Sequence, residues 1–373
     1  MPDTYLQEAL RAAVESHALA TADYRGTTTA ARFSDRNREF AALQSACAVY
    51  DFGFRARLSI TGADRVRWLN GMVTNNVRDL PEHNGIYAFL LNPQGHILGD
   101  MYVFNEADKL IVETDRSQLE KIVATFDHYI IMDDVVVDEV TTQTALGVTG
   151  PRARTLLNAA KIEIPELKSL QTIHLQCDCD CGCVQCTIVR LDDPPPESYE
   201  IWLNTGQAYA TWRALIAAGA VPIGSEALEM HRVMQGIPLY GVDIRERDLP
   251  QETEQTRALS FNKGCYIGQE IVERIRSRGS VHRKFTGFAA ENGKTISPGA
   301  KMIVDNREVG EITSSAAVPT PEGDRAIALG YMRREFASPG REVMIADARA
   351  AVIQLPMQSA AIQNPADALT HPV

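Results

Sequence analysis

Residues 263 to 270 read Lys-Gly-Cys-Tyr-Ile-Gly-Gln-Glu, setting a thiol, a cation, two glycines and a carboxylate directly ahead of a helical pattern. From Gly268 the spacing predicts a helix with Ile271, Val272 and Ile275 on one face, and Gly279 stands where a C-cap glycine belongs. Cys265 then lies just before a helix start, where unpaired N–H groups and the positive dipole end favour an anion. Lys263 adds a nearby positive charge. Both features favour a thiolate, which can attack, bind metal or respond to oxidants. The same residues also suit a tight turn at Gly264 and Gly268 with Cys265 as a small buried filler.

Other residues could do chemistry at a distance along the chain. Asn92 to Asp100 reads as a hairpin ending in a carboxylate, and Asp100 could face a ligand's amine or serve as a turn residue. In the strand Ser198-Tyr199-Glu200-Ile201-Trp202, alternation puts Glu200 and Trp202 on one face and Tyr199, Ile201 and Leu203 on the other. On a cavity wall Glu200 could accept hydrogen bonds from an amino-heterocycle; on a surface it would only be solvated. Arg232 lies on a helical stretch from Glu229 to Gly236, either as a solvated charge or as a fork for a carboxylate or a π-stacking partner. Cysteines at 177, 179, 181, 183 and 186 recur mostly at every second residue, a strand spacing, whereas zinc sites favour gaps of two to four residues. They read as small packing residues, with a metal-binding module over 177–186 as the alternative, and no metal ligands are assigned.

The elements that must position these residues follow from periodicity. Strands are expected at 55–60, 86–91, 97–104, 109–114 and 135–140, with helices after Asp64 and over 117–129. A second cycle has strands at 144–148, 172–176, 184–191 and 199–203 and helices from Gly150 to Ala160 and over 208–218. Thr-Gly-Ala-Asp-Arg at 61 and Thr-Gly-Pro-Arg-Ala at 149 each end a strand and open a helix, which suggests two related α+β halves. Beyond residue 284, short strands at 301–304, 308–313, 326–331 and 343–346 alternate with turns, the pattern of a small β-barrel. The expected organisation is an N-terminal helix and polar lead-in over 1–40, two halves at 41–143 and 144–283, a barrel at 284–357 and a loose tail at 358–373.

Composition bounds the partners. The 373 residues, 45% hydrophobic and 23% charged, suffice for a core without disulfides. A net charge of -11 argues against extensive nucleic-acid binding. No apolar run is long enough to span a bilayer and the first 20 residues lack a secretory pattern, so no membrane association is expected. Seven unevenly placed cysteines suggest no disulfide framework, and a reducing, cytoplasmic setting is expected.

Taken together, the motif at 263 to 270, the hairpin 92 to 100, Thr149-Gly150-Pro151, Tyr199-Glu200 and Arg232 leading to Leu239-Tyr240-Gly241-Val242-Asp243 resemble the glycine-cleavage T-protein (aminomethyltransferase) superfamily, and within it the YgfZ-like folate-binding proteins linked to iron–sulfur cluster assembly. The resemblance implies two interlocked, ferredoxin-like α+β units around a folate-sized cavity, followed by a C-terminal barrel. It implies tetrahydrofolate as cofactor, held by Asp100, Glu200, Arg232 and Tyr240, with Cys265 as reactive thiol, Lys263 keeping it ionised, and iron–sulfur proteins or their assembly factors as partners. The transferases carry Gly-Gly-Ile-Leu-Asp-Asp at the hairpin, whereas here Gly99 replaces the first aspartate and Asp100 keeps the second. The expected function is a tetrahydrofolate-binding accessory role in iron–sulfur assembly; the alternative, which would make the protein an enzyme, is folate-dependent aminomethyl or other one-carbon transfer.

Overall fold

The computed structural model describes residues 1–13, 19–179, 182–291, 294–320 and 323–357. The chain divides into two units: Met1–Leu90, Gly99–Leu228 and Asn262–Tyr266 form the first; Leu91–Leu98, Glu229–Phe261 and the chain from Ile267 onward form the second. Among the described residues no helix is long and apolar enough to cross a membrane.

In the first unit, helix α1 (Tyr5–Ala12) starts at Thr4, whose hydroxyl accepts the Gln7 N–H at 3.1 Å. Strands β1 (Ala20–Tyr24) and β2 (Thr27–Arg32) pair as a hairpin, and α2 (Arg36–Ser45) is capped by the Asp35 side chain. These elements replace the polar lead-in expected over 21–40. Their buried faces, Tyr24, Ala30, Ala31 and Phe40, are small or widely spaced, so polar neighbours conceal the periodicity.

Next come β3 (Ala48–Asp51), β4 (Arg55–Thr61), α3 (Arg65–Met72), β5 (Gly85–Leu91), β6 (Ile97–Asn105), β7 (Leu110–Asp115), α4 (Arg116–Tyr129) and β8 (Val136–Glu139). The second cycle comprises β9 (Gln143–Thr149), α5 (Ala153–Ala159), β10 (Thr172–Cys179), β11 (Gly182–Arg190), β12 (Ser198–Asn204), α6 (Ala208–Ala217) and β13 (Val221–Pro222). One sheet runs β5-β6-β7-β4-β8 and the other β10-β11-β12-β9-β3-β13. Strand β3 precedes the first sheet in the chain yet lies inside the second, so the halves interlock. Apolar residues on one face of the six-stranded sheet, Val49, Val148, Ile188 and Ile201, pack with Leu157, Trp212 and Leu215 of its helices. Each such burial stabilises by about 1.5–3 kcal/mol. Gly147 pairs with Tyr50 across β3 and β9, and a Cβ there would come within 2.2 Å of the tyrosine ring, so only glycine fits.

The cysteine-rich stretch is a hairpin: Cys177 pairs with Val184 and Cys179 with Gly182, so Cys183 belongs to the returning strand. Cys177 and Cys186 pack in the apolar core, and burial, with Cys177 as a lesser neighbour, pushes the Cys186 thiol up to about 12. Residues 180 and 181 lie outside the described residues.

In the second unit, β14 (Arg283–Ala290), β15 (Lys301–Val304), β16 (Arg307–Thr320), β17 (Gly323–Arg333), β18 (Glu342–Ile345) and β19 (Ala348–Ile353) close a barrel in the order β14-β17-β16-β15-β18-β19. Phe288, Met302, Ile312, Ile345 and Val352 fill it. The first and last strands were not expected, because Ala289, Ala290, Ala350 and Ala351 blunt their alternation. The tail at 358–373 lies outside the described residues.

Helix α7 (Ser225–Gln235) places Met230, His231, Arg232, Val233 and Met234 out of solvent, so its second half is buried nearly all round. Neither ring nitrogen of His231 has a hydrogen-bond partner, and burial pulls its pKa down to about 4. The unfolded chain therefore takes up this proton first as pH falls. Stability is whole above about pH 6.5 and is lost toward pH 4, by about 3 kcal/mol. His231→Leu should remove that share. Urea unfolding at pH 7 and pH 4.5 should show a smaller stability loss in the variant by about 2 kcal/mol; equal losses would refute the assignment.

Candidate active site

Two arginines and two carboxylates converge inside the first unit because β4 and β7 carry them at every second position, and Glu200 of β12 joins them. The register sets Arg55 opposite Asp115 and Arg57 opposite Glu113. Arg55 Nη1 donates to Asp115 Oδ1 at 2.8 Å, and Arg57 Nη1 donates to Glu113 Oε1 at 3.1 Å and to Glu200 Oε1 of β12 at 3.2 Å. Glu200 is fully buried. Burial first, then the adjacent Glu113 carboxylate, holds its pKa well above the usual carboxylate range. Nearby, the Arg57 guanidinium lies 4.9 Å from the centre of the Trp202 ring, and the Trp202 indole N–H has no acceptor.

Asp100 lies on β6, partly exposed. Tyr87 Oη donates to its Oδ2 at 2.7 Å and Gln118 Nε2 to its Oδ1 at 2.7 Å. Burial raises its pKa and Asp115 adds to the rise, against the pull of these hydrogen bonds and of Arg55. Gly99, beside it, faces α4: a Cβ there would meet Gln118 Oε1 at 3.2 Å and Ile122 at 3.3 Å. The retained aspartate is thus on the opposite side of the strand from the missing one.

The 263 to 270 motif divides between the units. Cys265 is exposed, whereas Cys47, Cys177 and Cys186 are buried. Gly268, at φ +80°, is the N-cap of α8 (Gln269–Arg278), and a Cβ there would approach Asn92 O to 2.6 Å. Lys263 is buried, and its Nζ donates to the carbonyl oxygens of Asn70, Val73 and Asn75 at 2.6, 2.6 and 2.7 Å. Burial pulls its pKa down to about 7, while three carbonyl acceptors work against that pull. The expectation that Lys263 serves the thiol is therefore corrected: its ammonium closes the C-terminal end of α3 instead.

Arg232 and Tyr240 belong to the second unit. The Arg232 guanidinium donates to Glu229, Asp243, Ser314 Oγ and the Ile237 carbonyl, occupying each of its nitrogens. It is a fork for carboxylates, as one of its two readings had it, but those carboxylates are the protein's own. Tyr240 Oη donates to Leu98 O at 2.5 Å. A cavity of about 440 Å³ in the first unit is lined by Arg57, Glu106, Lys109, His174 and Trp202 among others, and none of the four expected folate residues lines it. Missed from the sequence were Arg55, Arg57, Glu113 and Asp115. Their signal was there: charges of opposite sign at matching two-residue spacing in two strands.

Lys263→Met should remove the donor that three carbonyls share and lower thermal stability, by about 1–3 kcal/mol for any group left unsatisfied. The iodoacetamide alkylation rate of Cys265 should not change. A slower alkylation in a folded variant would restore the role of Lys263 beside the thiol.

Two family models match the chain: the GCVT N-terminal domain over residues 1–263 and the glycine cleavage T-protein C-terminal barrel domain over residues 283–357. The aminomethyltransferase of Halothermothrix orenii is 27% identical over 335 residues, covering 87% of this chain and 90% of that protein. That of Thermoanaerobacter pseudethanolicus is 23% identical over 334 residues, covering 87% and 88%. The glycine cleavage system aminomethyltransferase T structure from Bartonella henselae superposes with a TM-score of 0.81 at 20% identity, covering 92% of this chain and 95% of that one, a likeness of fold. With most of its length matched by the two models, the chain belongs to the glycine-cleavage T-protein family.

Proposed function

We propose that this protein binds tetrahydrofolate and transfers a one-carbon unit between the folate and an amine donor, the alternative in the sequence reading. The observation that carries it is Asp100: a partly exposed carboxylate, oriented by Tyr87 and Gln118 and raised in pKa. Such a group can accept a proton from an amine and return it. Tetrahydrofolate, when bound, supplies the nitrogen that takes up the one-carbon unit.

The fit of a pterin rests on unmet polar groups. Glu200 Oε2 receives no hydrogen bond and the Trp202 indole N–H finds no acceptor, although both are buried. A pterin edge offers the reciprocal amino, N–H and carbonyl groups. Glu200, its pKa raised, would offer that edge an oxygen with no partner of its own, and Arg57, which donates to its other oxygen, is placed to polarise it.

Calorimetry and a turnover assay with glycine-derived and N-methyl amine donors test the reading together. Wild type should bind tetrahydrofolate. Asp100→Asn should bind comparably and lose turnover by about 100-fold or more. Glu200→Gln should weaken binding. Turnover unaffected by Asp100→Asn, or no binding by wild type, would overturn it.

The exposed Cys265 favours a second reading, a YgfZ-like accessory role toward iron–sulfur proteins. A strain lacking the gene should then regain cluster-enzyme activities with the wild-type chain and not with Cys265→Ser. Full rescue by Cys265→Ser would dismiss it.

A further inference from the structure

We propose that His83, Glu106 and His174 form a site in the first unit for a divalent first-row transition-metal ion. Three segments bring them together. His83, at φ +57°, stands ahead of β5 and donates its N–H to Asn105 O at 2.8 Å; Glu106 follows β6; His174 lies on β10, where the Thr172 N–H donates to His83 O at 2.9 Å. One ligand atom of each residue lies within 4.8 Å of the others, so small rotations of the two half-exposed imidazoles would bring all three within the roughly 4.4 Å that bonds of about 2.0–2.2 Å to one ion allow.

The orientation of the three side chains favours an ion over a simple ion pair. Glu106 is nearly buried at 5% side-chain exposure, whereas His83 and His174 are about half exposed at 48% and 54%. Thr172 Oγ1 donates to Glu106 Oε1 at 3.0 Å, leaving Oε2 to face both imidazoles: His174 Nε2 at 2.5 Å and His83 Nδ1 at 3.7 Å. The other nitrogen of His174, Nδ1, pairs with Thr187 Oγ1 at 2.9 Å, the kind of outer partner that orients a ligating imidazole. The two rings meet edge to face, with centroids 5.4 Å apart and planes at 77°. A pair between His174 and Glu106 alone would leave His83 beyond hydrogen-bond reach of the carboxylate, with nothing for its convergence to do.

Two imidazoles and one carboxylate suit zinc, cobalt, nickel or ferrous ions and not magnesium or calcium. Three protein ligands leave at least one coordination position open. Glu106 and His174 also line the cavity that Lys109 borders, which gives a small ligand a route to the open position. Nothing in the folate reading requires this site.

Cobalt(II) titration of the chelator-treated full-length protein, followed by visible absorption, tests the proposal. One equivalent should give d–d bands without thiolate charge transfer, and zinc should displace it. His83→Ala, His174→Ala and Glu106→Gln should each weaken binding at least tenfold, while circular dichroism stays native. Cys265→Ser should bind as wild type does. Absence of d–d bands, bands unaltered in the double variant of His83 and His174, or a spectrum dominated by thiolate charge transfer would overturn it, the last by placing the ion on the cysteines.

Discussion

Sealing Arg55, Arg57, Glu113, Asp115 and Glu200 away from water is the constraint on which the first unit depends. Buried charges survive only if each finds its opposite, and removing one partner from such a set costs about 3–5 kcal/mol. The requirement pins the register of β4 against β7, because a one-residue slip would turn every charge to the other face. Glu200 extends the constraint to β12, so the same network joins the five-stranded sheet to the six-stranded one. Asp100 is held by the neighbouring strand: Thr114 of β7 donates its hydroxyl to the Asp100 carbonyl at 2.8 Å.

Asp100 and Glu200 show how environment divides labour between chemically similar groups. Both pKa values are raised by burial and by a second carboxylate, and both feel Arg55. Glu200 has no access to solvent and is pushed toward the neutral form. Asp100 is partly exposed and held by two neutral donors, so its proton can exchange. Two carboxylates of unlike exposure, both raised in pKa, are thereby built around one charged network.

Much of this was legible from the chain. Alternation located β4 to β12, separated Glu200 and Trp202 from Tyr199 and Ile201, and marked the start of α8 at Gly268, where a left-handed backbone is needed. What escaped reading was tertiary. Arg232 could be read as a solvated charge or as a fork, because two of its partners, Asp243 and Ser314, lie 11 and 82 residues away. Lys263 looked like a companion of Cys265 because they are two residues apart, yet its acceptors lie near residue 70. Sequence proximity is a poor guide to electrostatic partnership when a long side chain can reach a distant helix end. The β1–β2 hairpin and the outer barrel strands escaped for another reason: alanine and threonine carry too little hydrophobic contrast for a two-residue period to show.

The chain passes from one unit to the other at residues 90/91, 98/99, 228/229, 261/262 and 266/267. A single nick cannot release either unit, since covalent tethers remain on the far side of any cut. The barrel model begins at residue 283, but the unit around it also claims 91–98 and 229–261. Grafting a relative's barrel at that boundary would exchange only part of a folding body. Recombination between such proteins is thus confined by threading, and the eight residues 263 to 270 would have to be inherited with both partners at once.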